Sequence, residues 1–159
     1  FFLIGTFMAL WVILYGLIQA NAPRILRART RPTDELIKAA RGWAWSLAAV
    51  PSILTGIAII AGAPQLWLTI SLVTGLLIFG IVFAVNSSLH SYLILSFTKA
   101  ERVTMDVGFY YMANAAGRLA GTLLSGLTYQ IGGLPLMLGV AAFMVALSAM
   151  MLGLLKPGR

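Results

Sequence analysis

The chain has 159 residues, 60% of them hydrophobic and 9% charged, with a formal net charge of +7. Soluble domains run near a quarter charged, so lipid is the expected solvent for much of a surface this apolar. With no cysteine there is no disulfide, thiolate metal site or cysteine nucleophile. One His and four acids leave little material for a metal-centred or hydrolytic centre, so no catalytic residue, metal or cofactor is assigned. A charge of +7 would suggest nucleic acid in a soluble protein. Here the basic residues fall between apolar runs, with no aromatic stacking platform beside them, and no nucleic-acid partner is expected.

A membrane-spanning helix needs about 20 mostly apolar residues. Five runs qualify, at 1–20, 42–61, 66–98, 106–130 and 134–155. No alternating strand pattern with regular turns appears, so the expected fold class is an all-α membrane protein, a helical bundle. The chain opens Phe1-Phe2-Leu3, already inside an apolar run and without the basic leader or cleavage site of a signal peptide. Upstream helices are therefore expected, which makes 1–159 the C-terminal transmembrane portion of a larger protein whose N-terminal half is its natural partner.

The run at 66–98 is longer than a bilayer core, about 50 Å at 1.5 Å per residue. It is expected to tilt, to bend at Gly75 or Gly80, or to protrude. Pro51 inside the second run is expected to mark a kink. Trp43, Trp45 and Trp67 lie near expected interfaces and read as anchors.

Arg24, Arg27, Arg29, Arg31, Lys38 and Arg41 lie between the first two runs, and Lys99 and Arg102 between the third and fourth. Lys156 and Arg159 follow the fifth, while the connections Gly62–Gln65 and Ile131–Gly133 carry no Lys or Arg. Ten of the eleven basic residues thus fall on one side, which the positive-inside rule makes cytoplasmic. That places the C-terminus in the cytoplasm and makes 21–41 a basic cytoplasmic loop. A short amphipathic helix is expected after Pro32, with Asp34 and Lys38 as an i, i+4 pair. The arginines of this loop also suit anionic lipid headgroups.

Polar groups deep in such helices are costly unless paired or facing water. Arg118 lies twelve residues from both Asp106 and Gln130, near the expected midplane. Asn114, Arg118 and Thr122 follow at four-residue spacing, with Tyr111, Ser125 and Tyr129 nearby, as a polar stripe. Two readings of Arg118 stay open: an anion-binding or conformation-coupling group in a transport path, and a structural arginine bonded to carbonyls or to an acid outside this chain. Ala113, Gly117, Gly121 and Ser125 form a small-residue ridge beside the stripe, read as helix packing. The third run holds a polar block in which Asn86 and His90 share a face, as do Ser87 and Ser91. His90 suits oxyanion binding or proton relay; the bland reading is a neutral His bonded to a neighbouring helix. The substrate-path candidates are therefore Arg118, Asn114, His90, Asn86, Ser87, Ser91, Tyr111 and Thr122.

Basic loops on one side, an Arg in a Gly-rich penultimate helix and a long preceding helix resemble the last five of twelve helices of the major facilitator superfamily, over the whole chain. A closer resemblance, to the ArsJ-type organoarsenical efflux transporters, rests on three strings. They are Phe83-Ala84-Val85-Asn86-Ser87-Ser88-Leu89-His90-Ser91-Tyr92-Leu93-Ile94, Asp106-Val107-Gly108-Phe109-Tyr110-Tyr111-Met112-Ala113-Asn114-Ala115-Ala116-Gly117-Arg118-Leu119, and Leu10-Trp11-Val12-Ile13-Leu14-Tyr15-Gly16-Leu17-Ile18-Gln19 with Ala22-Pro23-Arg24. The resemblance implies export of 1-arseno-3-phosphoglycerate across a bacterial inner membrane. It also implies functional pairing with a glyceraldehyde-3-phosphate dehydrogenase that makes this ester, and arsenate resistance as the result. It transfers no binding residues. Arg's donor fork suits phosphate, arsenate and carboxylate, and pentavalent arsenic needs no thiol.

Three alternatives stay open. One is a facilitator of another small molecule, a drug or a phosphorylated metabolite. Another is a non-transporting membrane scaffold. The third is a membrane-embedded enzyme, which the lone His and the absence of a mid-span carboxylate pair or HExxH motif oppose.

Overall fold

Four long apolar helices carry nearly all of the computed structural model, which describes residues 2–26, 31–98 and 100–154. They are α1 (Phe2–Ile25), α2 (Thr33–Ala61), α3 (Leu66–Phe97) and α4 (Val103–Leu152), with a single 3-10 turn, Ala100–Arg102, before α4. Each is long and apolar enough to cross a membrane. The expected contributions of Phe1, Arg27, Arg29, Lys99, Leu155, Lys156 and Arg159 lie outside the described residues.

Two helices run beyond their apolar stretches. α1 continues to Ile25, past Ala20, and α2 begins at Thr33, nine residues before Gly42. The amphipathic turns expected after Pro32 are therefore the start of α2, and much of 21–41 is helix. The cause is packing. Leu36, Ile37 and Ala40 of α2 are buried with Ala22 and Leu26 from the end of α1 and with Val85, Leu89 and Leu93 of α3. Burying a Leu or Ile side chain fully is worth about 1.5–3 kcal/mol, which offsets the ordering of two further turns. Asp34 and Glu35 sit in the first turn, where the helix dipole favours acids. The ion pair observed there is Arg31–Glu35, 3.9 Å apart at i, i+4 spacing.

α3 is one helix from Leu66 to Phe97. Its two glycines serve as sites of close approach. A Cβ at Gly75 would meet the Leu54 side chain of α2 at 2.7 Å, and one at Gly80 would meet Trp11 of α1, also at 2.7 Å. The space at Gly80 lets Trp11 Nε1 donate to the Leu76 carbonyl at 2.8 Å. Trp11, Tyr15 and Phe83 then form an aromatic ladder between α1 and α3, with centroids 5.7 and 5.6 Å apart.

α4 spans 50 residues but is broken at Gly132 (φ −138°, ψ 16°) and Gly133 (φ 65°, ψ −159°). The Gly133 conformation is open essentially to glycine alone. The chain reverses here. Tyr110 and Asn114 line the same cleft as Met144, Val145 and Ser148, whereas an unbroken helix would separate residues 110 and 148 by about 57 Å. α4 is thus two antiparallel arms, 103–131 and 134–152, with the turn where the connection Ile131–Gly133 was expected. The second arm packs along α2: Leu138 joins Leu54 and Ala58, and Ala149 and Leu152 join Ala44. Arg41 closes that contact, donating from Nε to the Leu152 carbonyl at 3.1 Å and from Nη2 to Gly153 at 3.0 Å.

The end of α1, the starts of α2 and α4 and the end of α3 therefore gather at one end of the bundle. Every described Lys and Arg except Arg118 lies on these segments or within two residues of them, and the opposite end, at Gly62–Gln65 and Gly132–Gly133, carries none. Large apolar side chains on the outer faces of all four helices stay exposed, among them Leu10, Ile60, Ile70 and Leu123. In water such a surface marks an interaction site; on helices of this length it is compatible with a lipid-embedded bundle.

Candidate functional site

A cleft of ≈ 320 Å³ opens between α3 and the two arms of α4. Leu47, Phe83, Met144 and Val145 form its apolar walls; Asn86, Ser87, His90, Tyr110, Asn114 and Ser148 are its polar groups. α3 packs closely on α1 and α2 but only slightly on α4, and the cleft is the space that this splay leaves.

Two of the polar side chains, His90 and Asn114, are placed by bonds within their own helices. His90 Nδ1 lies 2.8 Å from the Asn86 carbonyl, one turn back. A carbonyl only accepts, so Nδ1 carries the proton and a neutral ring has Nε2 as an acceptor. Asn86 is 8% exposed, and its Oδ1 has no hydrogen-bond partner. Leaving a buried acceptor unmatched costs about 1–3 kcal/mol, so this atom marks a local conflict with stability. On the facing helix Arg118 Nε donates to Asn114 Oδ1 at 3.1 Å. A guanidinium only donates. The bond therefore turns the Asn114 amide oxygen toward Arg118.

His90 also borders a second cleft of ≈ 380 Å³ toward the basic end, with Asp106, Thr98 and Leu152. It is the wall between the two. The larger ≈ 610 Å³ cleft at the opposite end, with Tyr129, Leu134 and Pro135, brings together none of the substrate-path candidates.

The structure thus assembles Asn86, Ser87, His90 and Asn114 in one place. Four candidates lie elsewhere. Ser91 is turned back on its own helix, its Oγ donating to the Ser87 carbonyl at 3.1 Å. Tyr111 is exposed outside the cleft, with its ring against Tyr110 at 5.5 Å. Thr122 donates to the Arg118 carbonyl at 2.8 Å and is exposed. Arg118 is exposed and reaches the cleft only through Asn114. The stripe leaves the cleft because each four-residue step advances about 40° around a helix of 3.6 residues per turn. From Tyr110 to Thr122 that amounts to roughly 120°.

Two cleft residues, Tyr110 and Ser148, were not among the candidates. Both had a signal. Tyr110 sits at four-residue spacing between Asp106 and Asn114, and Ser148 is the lone hydroxyl in the run 134–152.

The ridge of Ala113, Gly117, Gly121 and Ser125 is exposed along its length, and a Cβ at Gly117 or Gly121 would meet nothing within 4 Å. The close packing expected of it has no partner among the described residues. No family model matches the chain, and neither a curated protein nor a solved structure is similar to it.

Proposed function

We propose that this chain is the C-terminal portion of a secondary transporter of the major facilitator type, crossing the bacterial inner membrane five times with its C-terminus in the cytoplasm. Its substrate is a small organoarsenical anion, 1-arseno-3-phosphoglycerate, supplied by a partner glyceraldehyde-3-phosphate dehydrogenase; export of the ester confers arsenate resistance. The observation that carries the transport reading is the mixed polar cleft at Asn86, Ser87, His90, Tyr110, Asn114 and Ser148 inside an otherwise apolar bundle. Polar groups in lipid-embedded helices mark substrate and ion paths. The arsenical identity rests on the three sequence strings given above. The exposed face of the first arm of α4 supports a further helical half packing there, around which the two halves rock in alternating access.

Arsenate tolerance of an arsenic-sensitive bacterium tests this. The parent protein is expressed with and without the dehydrogenase while arsenic in the medium is followed. Tolerance and release that need both proteins are expected. Tolerance from the transporter alone would mean direct arsenate export. No effect, with the protein present in the membrane, would leave a transporter of another substrate.

A further inference from the structure

Residues 115–123 of the first arm of α4 are all exposed. That stretch makes about two and a half helical turns, so no side of the arm is covered there by another described helix. Its one charge is Arg118. The guanidinium spends Nε on Asn114 Oδ1, and Nη1 and Nη2 have no partner among the described residues. Arg118 stands about 20 Å from either end of the arm 103–131. In a lipid-embedded bundle, a charge at that depth is costly unless it is paired.

The chain itself cannot pair it. Its four acids are Asp34, Glu35, Glu101 and Asp106. All stand at the basic end, in the first turns of α2 and α4 and in the 3-10 turn before α4. Asp106, on the same arm, is roughly 18 Å away along the helix. A second copy of the chain fails for the same reason, since in either orientation across the membrane its acids fall at an end. Lipid phosphates also lie at the two surfaces, outside the hydrocarbon core.

We propose that the first arm of α4 docks a transmembrane helix that carries one carboxylate at the level of Arg118. Nη1 and Nη2 donate to its two oxygens, a bidentate geometry that the planar guanidinium fork suits. Gly117 and Gly121 leave room for that helix, because a Cβ at either meets nothing within 4 Å. This partner rests on the membrane-spanning reading above and not on the arsenical substrate, and it gives the further helical half a chemistry.

The test is association in lipid vesicles, read by energy transfer between the labelled 159-residue chain and labelled synthetic transmembrane peptides. The chain has no cysteine, so Ala63→Cys, in the connection between α2 and α3, takes the donor dye. The peptides are apolar helices of about 25 residues with a central Glu, a central Gln, or the Glu moved two turns toward one end. Mildly alkaline buffer favours the ionised glutamate. The central-Glu peptide should bind about tenfold or more tighter than the other two. Arg118→Gln should remove that preference with helicity unchanged, and Arg118→Lys, which keeps the charge but not the fork, should retain part of it. Equal binding of the Glu and Gln peptides would overturn the proposal, as would a preference that survives Arg118→Gln. Association of no peptide would mean that lipid alone covers the arm, and the proposal fails. A chain that does not float with the vesicles would remove the membrane reading and the proposal together. A central-Glu preference in a protein without an arsenate phenotype would uphold the proposal and remove only the substrate.

Discussion

Arg118 Nε donates to Asn114 Oδ1 at 3.1 Å, one turn back along α4. The pair divides its positions: Asn114 lines the cleft, and Arg118 stands behind it and holds its amide oxygen. A hydrogen bond to a charged group is worth about 1.5–3 kcal/mol, or about tenfold or more. On the transport reading proposed above, Arg118→Gln and Asn114→Ala should each lower export by about that factor, and the double variant should lose no more than the worse single one. Initial export rates of the three variants check this; fully additive losses would show two independent roles.

Gly117 and Gly121 face no described neighbour. Gly117→Leu and Gly121→Leu should leave the thermal stability of the 159-residue chain in detergent unchanged or slightly raised, since Gly weakens a helix by about 0.5–1 kcal/mol. On the reading proposed above, in which a further helical half packs against this face, the same changes should sharply reduce transport. A fall in the chain's own melting temperature would mean that the ridge packs internally.

Gly80 is the opposite case, because a Cβ there would meet Trp11 at 2.7 Å. Gly80→Ala should cost about 1–3 kcal/mol, the usual penalty for overpacking, and loosen α1 from α3. Gly16→Ala, with nothing within 4 Å of the new methyl, is the matched control. Melting temperatures of the two variants in detergent should move in opposite directions.

The reversal of α4 depends on Gly133, with φ 65° and ψ −159°. Gly133→Ala should cost on the order of 1–3 kcal/mol and disturb the facing of Asn114 and Ser148 across the cleft. A lower melting temperature in detergent is expected. An unchanged one would mean that the turn is made differently.

Arg41 holds the end of the second arm through two carbonyls, at 3.1 and 3.0 Å. Arg41→Gln should destabilise the bundle by about 1.5–3 kcal/mol. Arg41→Lys should recover only part, because an ammonium lacks the planar fork. Thermal melts of the two variants rank them, and a lysine variant equal to wild type would reduce the contact to charge alone.

Much of this architecture was legible in the residues. The long apolar runs, the connections at Gly62–Gln65 and Ile131–Gly133, the single helix over α3 and the gathering of basic residues at one end are all local properties. Hydropathy over about 20 residues, a glycine pair between two apolar runs and the placement of charge need no knowledge of neighbours. The grouping of Asn86 with His90 was readable for the same reason, since i, i+4 spacing puts both on one helix face.

Other features depended on contacts between segments distant in sequence. Leu36 and Ile37 extend α2 past its apolar stretch because Ala22 and Leu26 at the end of α1 and Leu89 and Leu93 of α3 bury them. Gly80 reads as a flexible point until Trp11 fills the space beside it. Tyr110 rather than Tyr111 enters the cleft, Ser148 joins it from the returning arm, and Arg118 turns away. Hydropathy measures transfer of a residue into an apolar medium, which is the same for every face of a helix. Which face meets a partner is set by how helices cross and where the chain reverses, and for this protein that selection, more than composition, defines the site.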